Sequence, residues 1–409
     1  MHPIVIIGAG MAAYSLAREL RKLDKTSRLT IVTADSGGSY AKPMLSNAFA
    51  LNKQAGALVS ASAEQMATQL DATIVAHTRV LAIDAAARTI ATDGGAIAYS
   101  QLVLALGAQA IRLPLAGDAA ERVLSINHID DYAVFRQHLE QLGGPARVAI
   151  LGAGLIGCEF AEDLSAAGHH VTLVDPNARP LAALAAPALS QGLSDAWATR
   201  SIALELNTTA SAIDAISDAT NDGALRLSLA NGKQVDADIV LSAVGLRPVI
   251  ALAHSAQLKT GRGIQIDRYG RTSDAHIYAL GDCAEYGSEF GADHGAAKAG
   301  AVLPYVAPLL TAARAIAATL AGTPTAIELK ADAVIVKTPS YKLALLPPPA
   351  GTAGTWAEHH DGERTVAHFV DDQGVRRGFG LSQHTPALRQ TLLAALHTLH
   401  DAATSAAQT

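Results

Sequence analysis

Val148-Ala149-Ile150-Leu151, followed at once by Gly152-Ala153-Gly154-Leu155-Ile156-Gly157, decides the fold. Four apolar residues bounded by glycine read as a buried strand. Apolar positions spaced three and four apart over 156–167 read as a helix. The glycines between them have the G-x-G-x-x-G spacing of a dinucleotide-binding turn. Gly152 permits the tight turn, Gly154 lets a diphosphate approach the backbone, and Gly157 lets helix pack on strand. The helix N-terminus then faces the anion. The next strand, Val171-Thr172-Leu173-Val174-Asp175, ends in an acid about 20 residues past the glycines, where a carboxylate grips a ribose hydroxyl. An acid there favours NADH as donor, while the neighbouring Arg179 is of the type that accommodates the 2′-phosphate of NADPH.

The same unit occurs at the start of the chain. Ile4-Val5-Ile6-Ile7 leads into Gly8-Ala9-Gly10-Met11-Ala12-Ala13, with Gly8, Gly10 and Ala13 in the three small-residue places, and an amphipathic stretch follows over 12–23. Asp35 closes the next strand, 29–33. Further buried strands are expected at 102–106 and 239–243. Strand–helix–strand repetition predicts an α/β fold with parallel sheets covered on both faces, here two Rossmann-like dinucleotide-binding domains. From residue 326 the pattern changes to short strands, the run Pro347-Pro348-Pro349, and a terminal helix, which predicts a small α+β C-terminal domain.

Composition excludes other classes. The chain has 409 residues, 50% hydrophobic and 17% charged, with a net charge of −6. A net acidic chain lacks the basic footprint of a nucleic-acid binder. Two cysteines, Cys158 and Cys283, cannot form a disulfide framework or a structural zinc site, and a reducing cytoplasmic setting is the default. The mean hydropathy of +0.22 comes mostly from alanine. The longest apolar stretch, 301–322, holds Pro304, Pro308 and Arg314, so no membrane insertion is expected.

Two nucleotide sites in one chain imply electron passage between two nucleotides. Leu104-Ala105-Leu106-Gly107-Ala108 ends a strand in small residues, where backbone passes close to a cofactor. Ile277-Tyr278-Ala279-Leu280-Gly281-Asp282 ends another in an acid able to accept from a polyol hydroxyl. Both suggest that the first domain is a flavin site, although Gly281-Asp282 is also an ordinary turn and helix cap.

These segments, with Ser242-Ala243-Val244-Gly245-Leu246-Arg247-Pro248 and 272–285, resemble the FAD-dependent pyridine nucleotide reductases. Four stretches narrow the resemblance to the rubredoxin–NAD⁺ reductases. These are Thr33-Ala34-Asp35 with Ser39-Tyr40-Ala41-Lys42-Pro43-Met44-Leu45-Ser46, the run Gly152 to Ala161, 278–285, and Val336-Lys337-Thr338-Pro339. The resemblance spans nearly the whole chain. It implies FAD as cofactor, NADH as hydride donor and rubredoxin as acceptor, with the electrons passing on to alkane hydroxylation or to oxygen and peroxide defence. It also implies an FAD-binding domain over 1–112 and 236–325, an NAD-binding domain over 113–235 and a C-terminal domain over 326–409.

The resemblance places Glu159 near the nicotinamide, and Lys42, Pro43 and Lys337 beside the flavin ring, with Glu159 and Lys42 as the catalytic pair. A carboxylate beside a flavin would pair with Lys42. Gly245 joins Ala105 and Gly107 among the cofactor-lining positions. Related ferredoxin reductases carry a basic residue after this Leu-Ser; here it is Asn47. The stretch 287–302 is an insertion relative to the rubredoxin reductases, and either caps the cofactor, meets the partner, or is a solvated loop. The cysteines read as packing residues, because none lies in 42–46 where flavin peroxidases need one. Basic residues for docking an acidic acceptor are expected at Lys42, Lys337 and Arg314.

The same motifs fit a ferredoxin reductase of an oxygenase or a flavorubredoxin reductase in nitric oxide detoxification, which differ only in docking surface. A redox-sensing flavoprotein is the reading of another class. Bleaching of the yellow protein by NADH separates it from an enzyme.

Overall fold

Ile4–Ile7 is buried at every residue and is the middle of a five-stranded parallel sheet. Its neighbours are Leu29–Val32 and Gln101–Leu104, and Thr73–Val75 and Ile277–Ala279 lie outside them. Strands buried on both faces need continuous apolar runs, which explains the Val/Ile/Leu composition. Helix α1 (Met11–Leu23) packs Ala13, Tyr14, Leu16, Ala17 and Leu20 inward. An antiparallel sheet of Val80–Asp84, Thr89–Thr92 and Gly95–Ala98 follows in the chain.

A second parallel sheet runs Ile202–Leu206, His170–Asp175, Arg147–Leu151, Ile239–Ser242. Helix α2 (Leu155–Ala166) crosses from its central strand. A five-stranded antiparallel sheet follows near the C-terminus, in the order Val334–Val336, Leu343–Leu346, Arg376–Ser382, Arg364–Asp371, Gly354–Asp361, and the helix Pro386–Ala394 comes after it.

The computed structural model describes residues 2–216, 223–287, 290 and 300–399. They fall into two compact units: 2–42, 56–109 and 246–331 in the first, and 43–55, 110–245 and 332–399 in the second. Four segments therefore differ from the expected domains, the shortest being 110–112, which lies in the second unit. Residues 43–55, expected in the first domain, belong to the second unit, where Asp163 and Arg136 bind their backbone. Ile239–Ser242, also expected in the first domain, pairs in register with Arg147–Leu151. Residues 326–331 stay with the first unit, because Ile327 and Leu329 are buried in its core. Of the stretch 287–302, expected as an insertion, positions 288–289 and 291–299 lie outside the described residues. Phe290 packs edge-on against Tyr286 at 5.0 Å, and Ala301–Val302 pairs with the strand Ala284–Tyr286. Among the described residues, no helix is long and apolar enough to cross a membrane.

Candidate functional site

In the first unit the glycine motif is built as its spacing requires. Gly8 has φ +107°, and a Cβ there would collide with the Ala105 carbonyl, so the two segments approach backbone to backbone. Gly10 is the N-cap of α1. It has no side-chain cap, and a Cβ there would meet nothing within 4 Å. The helix Ala63–Leu70, by contrast, is closed by a capping box from Ser62. The bare amides of α1 are thus open to an external anion. Ala13 is fully buried beneath them. Asp35 is exposed beside this turn and uses one oxygen, Oδ1, to accept from Thr33 Oγ1 at 2.8 Å and Gly37 N at 2.9 Å. Gly281, at φ +76°, packs against Ala12, and the next residue, Asp282, lies 3.7 Å from the Lys42 ammonium. Gly107 has φ +67° and open space where a side chain would be.

The second unit repeats the arrangement. A Cβ on Gly152 would lie 2.8 Å from the Ala243 carbonyl, and one on Gly157 would collide with the Gly152 carbonyl. Gly154 is the uncapped, open N-cap of α2. Gly245 has φ +117°, and its carbonyl accepts from Ile111 N at 3.1 Å. Asp175 is buried and reaches the glycine motif itself. Its Oδ2 accepts from Ala153 N at 2.6 Å, and Oδ1 accepts from Asn177 N and Nδ2, both at 2.8 Å. The carboxylate therefore holds the loop in place as well as charging its surroundings. The Nε of Arg179 is buried with no hydrogen-bond partner. Both bare glycine turns have the open backbone and uncapped helix that a dinucleotide diphosphate needs.

Glu159, in α2, is 2% exposed. Its cation is Lys337, not Lys42: Nζ lies 2.7 Å from Oε2, and the Lys337 backbone N donates to Oε1 at 3.1 Å. Lys337 follows the strand Val334–Val336, and a turn closed by Tyr341 N to Thr338 O holds it. The ammonium also donates to Pro43 O and, at 2.7 Å, to Ser46 Oγ, so its three donors all have acceptors. Ser46 Oγ in turn donates to Glu159 Oε2 at 2.7 Å. The pairing expected between Glu159 and Lys42 is thus replaced, because Lys42 lies in the first unit beside Asp282, while the turn at 337–341 presents its lysine to α2.

Two further acids of α2 have partners that sequence reading missed. Glu162 accepts from the Trp197 indole at 2.5 Å and from Ser340 Oγ. Asp163 accepts from the amides of Ala48, Phe49 and Ala50 at 2.8, 2.9 and 3.0 Å. Three acids within five residues of an otherwise apolar helix were the available signal. Both thiols are buried. Burial pushes Cys283 up to about 11 and Cys158 well above the usual thiol range. Arg314 is exposed on the helix Val306–Leu320.

The family profile for pyridine nucleotide-disulphide oxidoreductases matches residues 2–301. The chain belongs to this family. Its members use a flavin and a reduced nicotinamide dinucleotide. A second profile, the rubredoxin-binding C-terminal domain, matches residues 326–396. A rubredoxin-NAD(+) reductase of Alcanivorax borkumensis is 41% identical over 93% of this chain and 95% of its own length. A nitric oxide reductase FlRd-NAD(+) reductase of Aeromonas hydrophila is 38% identical, over 95% and 96%. Among solved structures, a ferredoxin reductase of Rhodopseudomonas palustris matches the fold with a TM-score of 0.84 at 24% identity, over 98% and 96% of the two chains.

Proposed function

We infer that this oxidoreductase of the pyridine nucleotide-disulphide family is an NADH-dependent, FAD-containing reductase that passes electrons to rubredoxin. One observation carries the acceptor: a rubredoxin-binding C-terminal domain over 326–396 follows the oxidoreductase domain in the same chain. A cytoplasmic setting supplies the NADH this reading needs.

FAD held by the first glycine turn, Gly8 and Gly10, would supply hydride acceptance from NADH and one-electron release, the chemistry that joins a two-electron donor to a one-iron acceptor. The chain's own residues bind and orient. Gly8, Gly10 and the amides of α1 would receive the flavin diphosphate, with Asp35 on its ribose and Asp282 and Lys42 near its polyol and ring. Gly152, Gly154 and α2 would receive the NADH diphosphate. Asp175, fixed against Ala153, keeps a negative charge where NADPH would bring a second one, so NADH is preferred. Glu159 and Lys337 form a fixed pair of charges for the nicotinamide end. A preorganised pair costs no reorientation when charge moves.

Anaerobic mixing of the NADH-reduced protein with oxidised rubredoxin, a ferredoxin and a flavorubredoxin tests the reading. Rubredoxin, alone or as the domain of a flavorubredoxin, should lose its iron–thiolate colour fastest. A ferredoxin reduced faster than both would sink it.

A further inference from the structure

Helix α2 buries Glu159, Glu162 and Asp163, each 4% exposed or less. A buried carboxylate is tolerated only when its oxygens have donors. Glu159 and Asp163 are four residues apart and share one helix face. That face holds a single short segment: Ser46 Oγ bonds Glu159, and the amides of Ala48, Phe49 and Ala50 bond Asp163. The Phe49 ring sets the same segment among Tyr132, Phe135 and Phe160, with centroids at 4.7, 5.5 and 6.3 Å. Nothing in the proposed chemistry uses Ser46 or Asp163, yet Ser46 is the group between the two charges. Its hydroxyl accepts from Lys337 Nζ and donates to Glu159 Oε2, each at 2.7 Å.

We propose that Ser46 is a positioning residue for hydride transfer, fixing the Glu159–Lys337 pair, and that Asp163 holds Ser46 in place through the Ala48–Ala50 amides. The proposal rests on the reading that this pair serves the nicotinamide. Without the hydroxyl, the ammonium keeps two of its three acceptors and Glu159 Oε2 loses a donor, so the pair gains freedom. The backbone stays docked, because the Asp163 bonds and the Phe49 packing do not involve the Ser46 side chain. Threonine keeps the hydroxyl. In Asp163→Asn one carboxylate oxygen becomes an NH₂ donor facing amide donors, which loosens the segment and shifts Ser46 indirectly.

The test is anaerobic stopped-flow reduction of the intact holoenzyme over a range of NADH concentrations, with thermal melts of each variant. In Ser46→Ala the limiting rate of flavin bleaching should fall about tenfold, as a small misplacement costs. The half-saturating NADH concentration and the melting temperature should stay close to wild type. Ser46→Thr should restore most of the rate. Asp163→Asn should slow bleaching too, and the double variant Ser46→Ala/Asp163→Asn should be little slower than Ser46→Ala alone. A Ser46→Ala rate within twofold of wild type overturns the role of Ser46, as does a Ser46→Thr as slow as Ser46→Ala. Losses that multiply in the double variant overturn the link through Asp163. A wild-type protein that NADH does not bleach overturns the functional reading itself, and the proposal with it. A bleaching wild type beside an unaffected Ser46→Ala overturns the proposal alone.

Discussion

Lys337 is held at every donor it has. Its ammonium meets Glu159, Ser46 and Pro43, and its backbone N–H meets Glu159 again. Removing one partner of a buried pair leaves a charge without compensation, so Lys337→Met should lower stability by about 3 kcal/mol. Adding Glu159→Gln should recover most of that loss, and a double-mutant cycle in urea measures the coupling. The same engagement removes Lys337 from the docking candidates named from sequence and leaves Lys42, which lies 3.7 Å from Asp282, and the exposed Arg314. Glu159 stood out in the sequence through the family resemblance, two residues after Gly157. Its partnership with Lys337 did not, because 178 residues separate the two and only tertiary structure joins them. The thiols make a second case. Cys158 and Cys283 are buried and their ionisation is pushed to higher pH, so iodoacetamide at pH 8 should label neither in the folded protein and both in urea. Mass spectrometry of the native protein showing a label on either cysteine would refute this.

Among the elements, the buried parallel strands were the most legible, since continuous apolar runs bounded by glycine leave few alternatives. The strand expected at 4–7 is found there, and that at 239–243 ends one residue earlier. Two strands of the last sheet were missed for physical reasons. Gly354–Asp361 is an edge strand with polar residues on both faces, and Arg376–Ser382 contains Gly378 and Gly380. Gly380 is there because Leu189 lies where a Cβ would be. The junction before Ile239–Ser242 carries its own fastener. Asp238 accepts from Arg147 N at 2.7 Å and from Arg147 Nη2 at 2.6 Å. Burial pushes the Asp238 carboxyl up, but the bonds from Arg147 outweigh it and hold it below the usual carboxylate range. A depressed carboxylate stabilises the fold above its unfolded pKa, and the contribution disappears as pH falls through the folded value. Asp238→Asn should therefore be about 1 kcal/mol less stable at pH 7, and this partly exposed pair warrants no more. In acid below that folded value the two proteins should converge. Denaturation curves at both pH values check this, and a gap that persists in acid would refute it.

At the scale of the whole molecule, the domain plan was legible from two glycine motifs and a change of composition, but not its seams. Residues 43–55 follow the first nucleotide motif in sequence and Asp163 in space, and no local pattern announces that. The C-terminal segment brings Lys337 and Ser340 to the acids of α2, so its removal should cost more than acceptor binding. A chain ending at residue 325 should lose rubredoxin reduction, melt lower, and be bleached by NADH about tenfold more slowly. Retention of wild-type bleaching would show that α2 does not depend on the C-terminal segment. The net charge of −6 bears on the encounter. An acidic acceptor must find a local basic patch, so the bimolecular rate of rubredoxin reduction should fall as salt rises past 0.1 M, where screening acts over about 10 Å. A rate indifferent to salt would exclude such steering.

The Glu162 contacts give this protein an optical reporter. It has two tryptophans, and Trp197 is fully buried with its indole N–H on the carboxylate that also receives Ser340. Trp356 sits on the edge strand against Phe369. With Trp356 replaced by phenylalanine, the remaining emission comes from an indole bonded to the same carboxyl as the turn that carries Lys337. Withdrawal of that turn would change the colour and lifetime of the emission, so the state of the Lys337 turn becomes readable by fluorescence during turnover, with no added label.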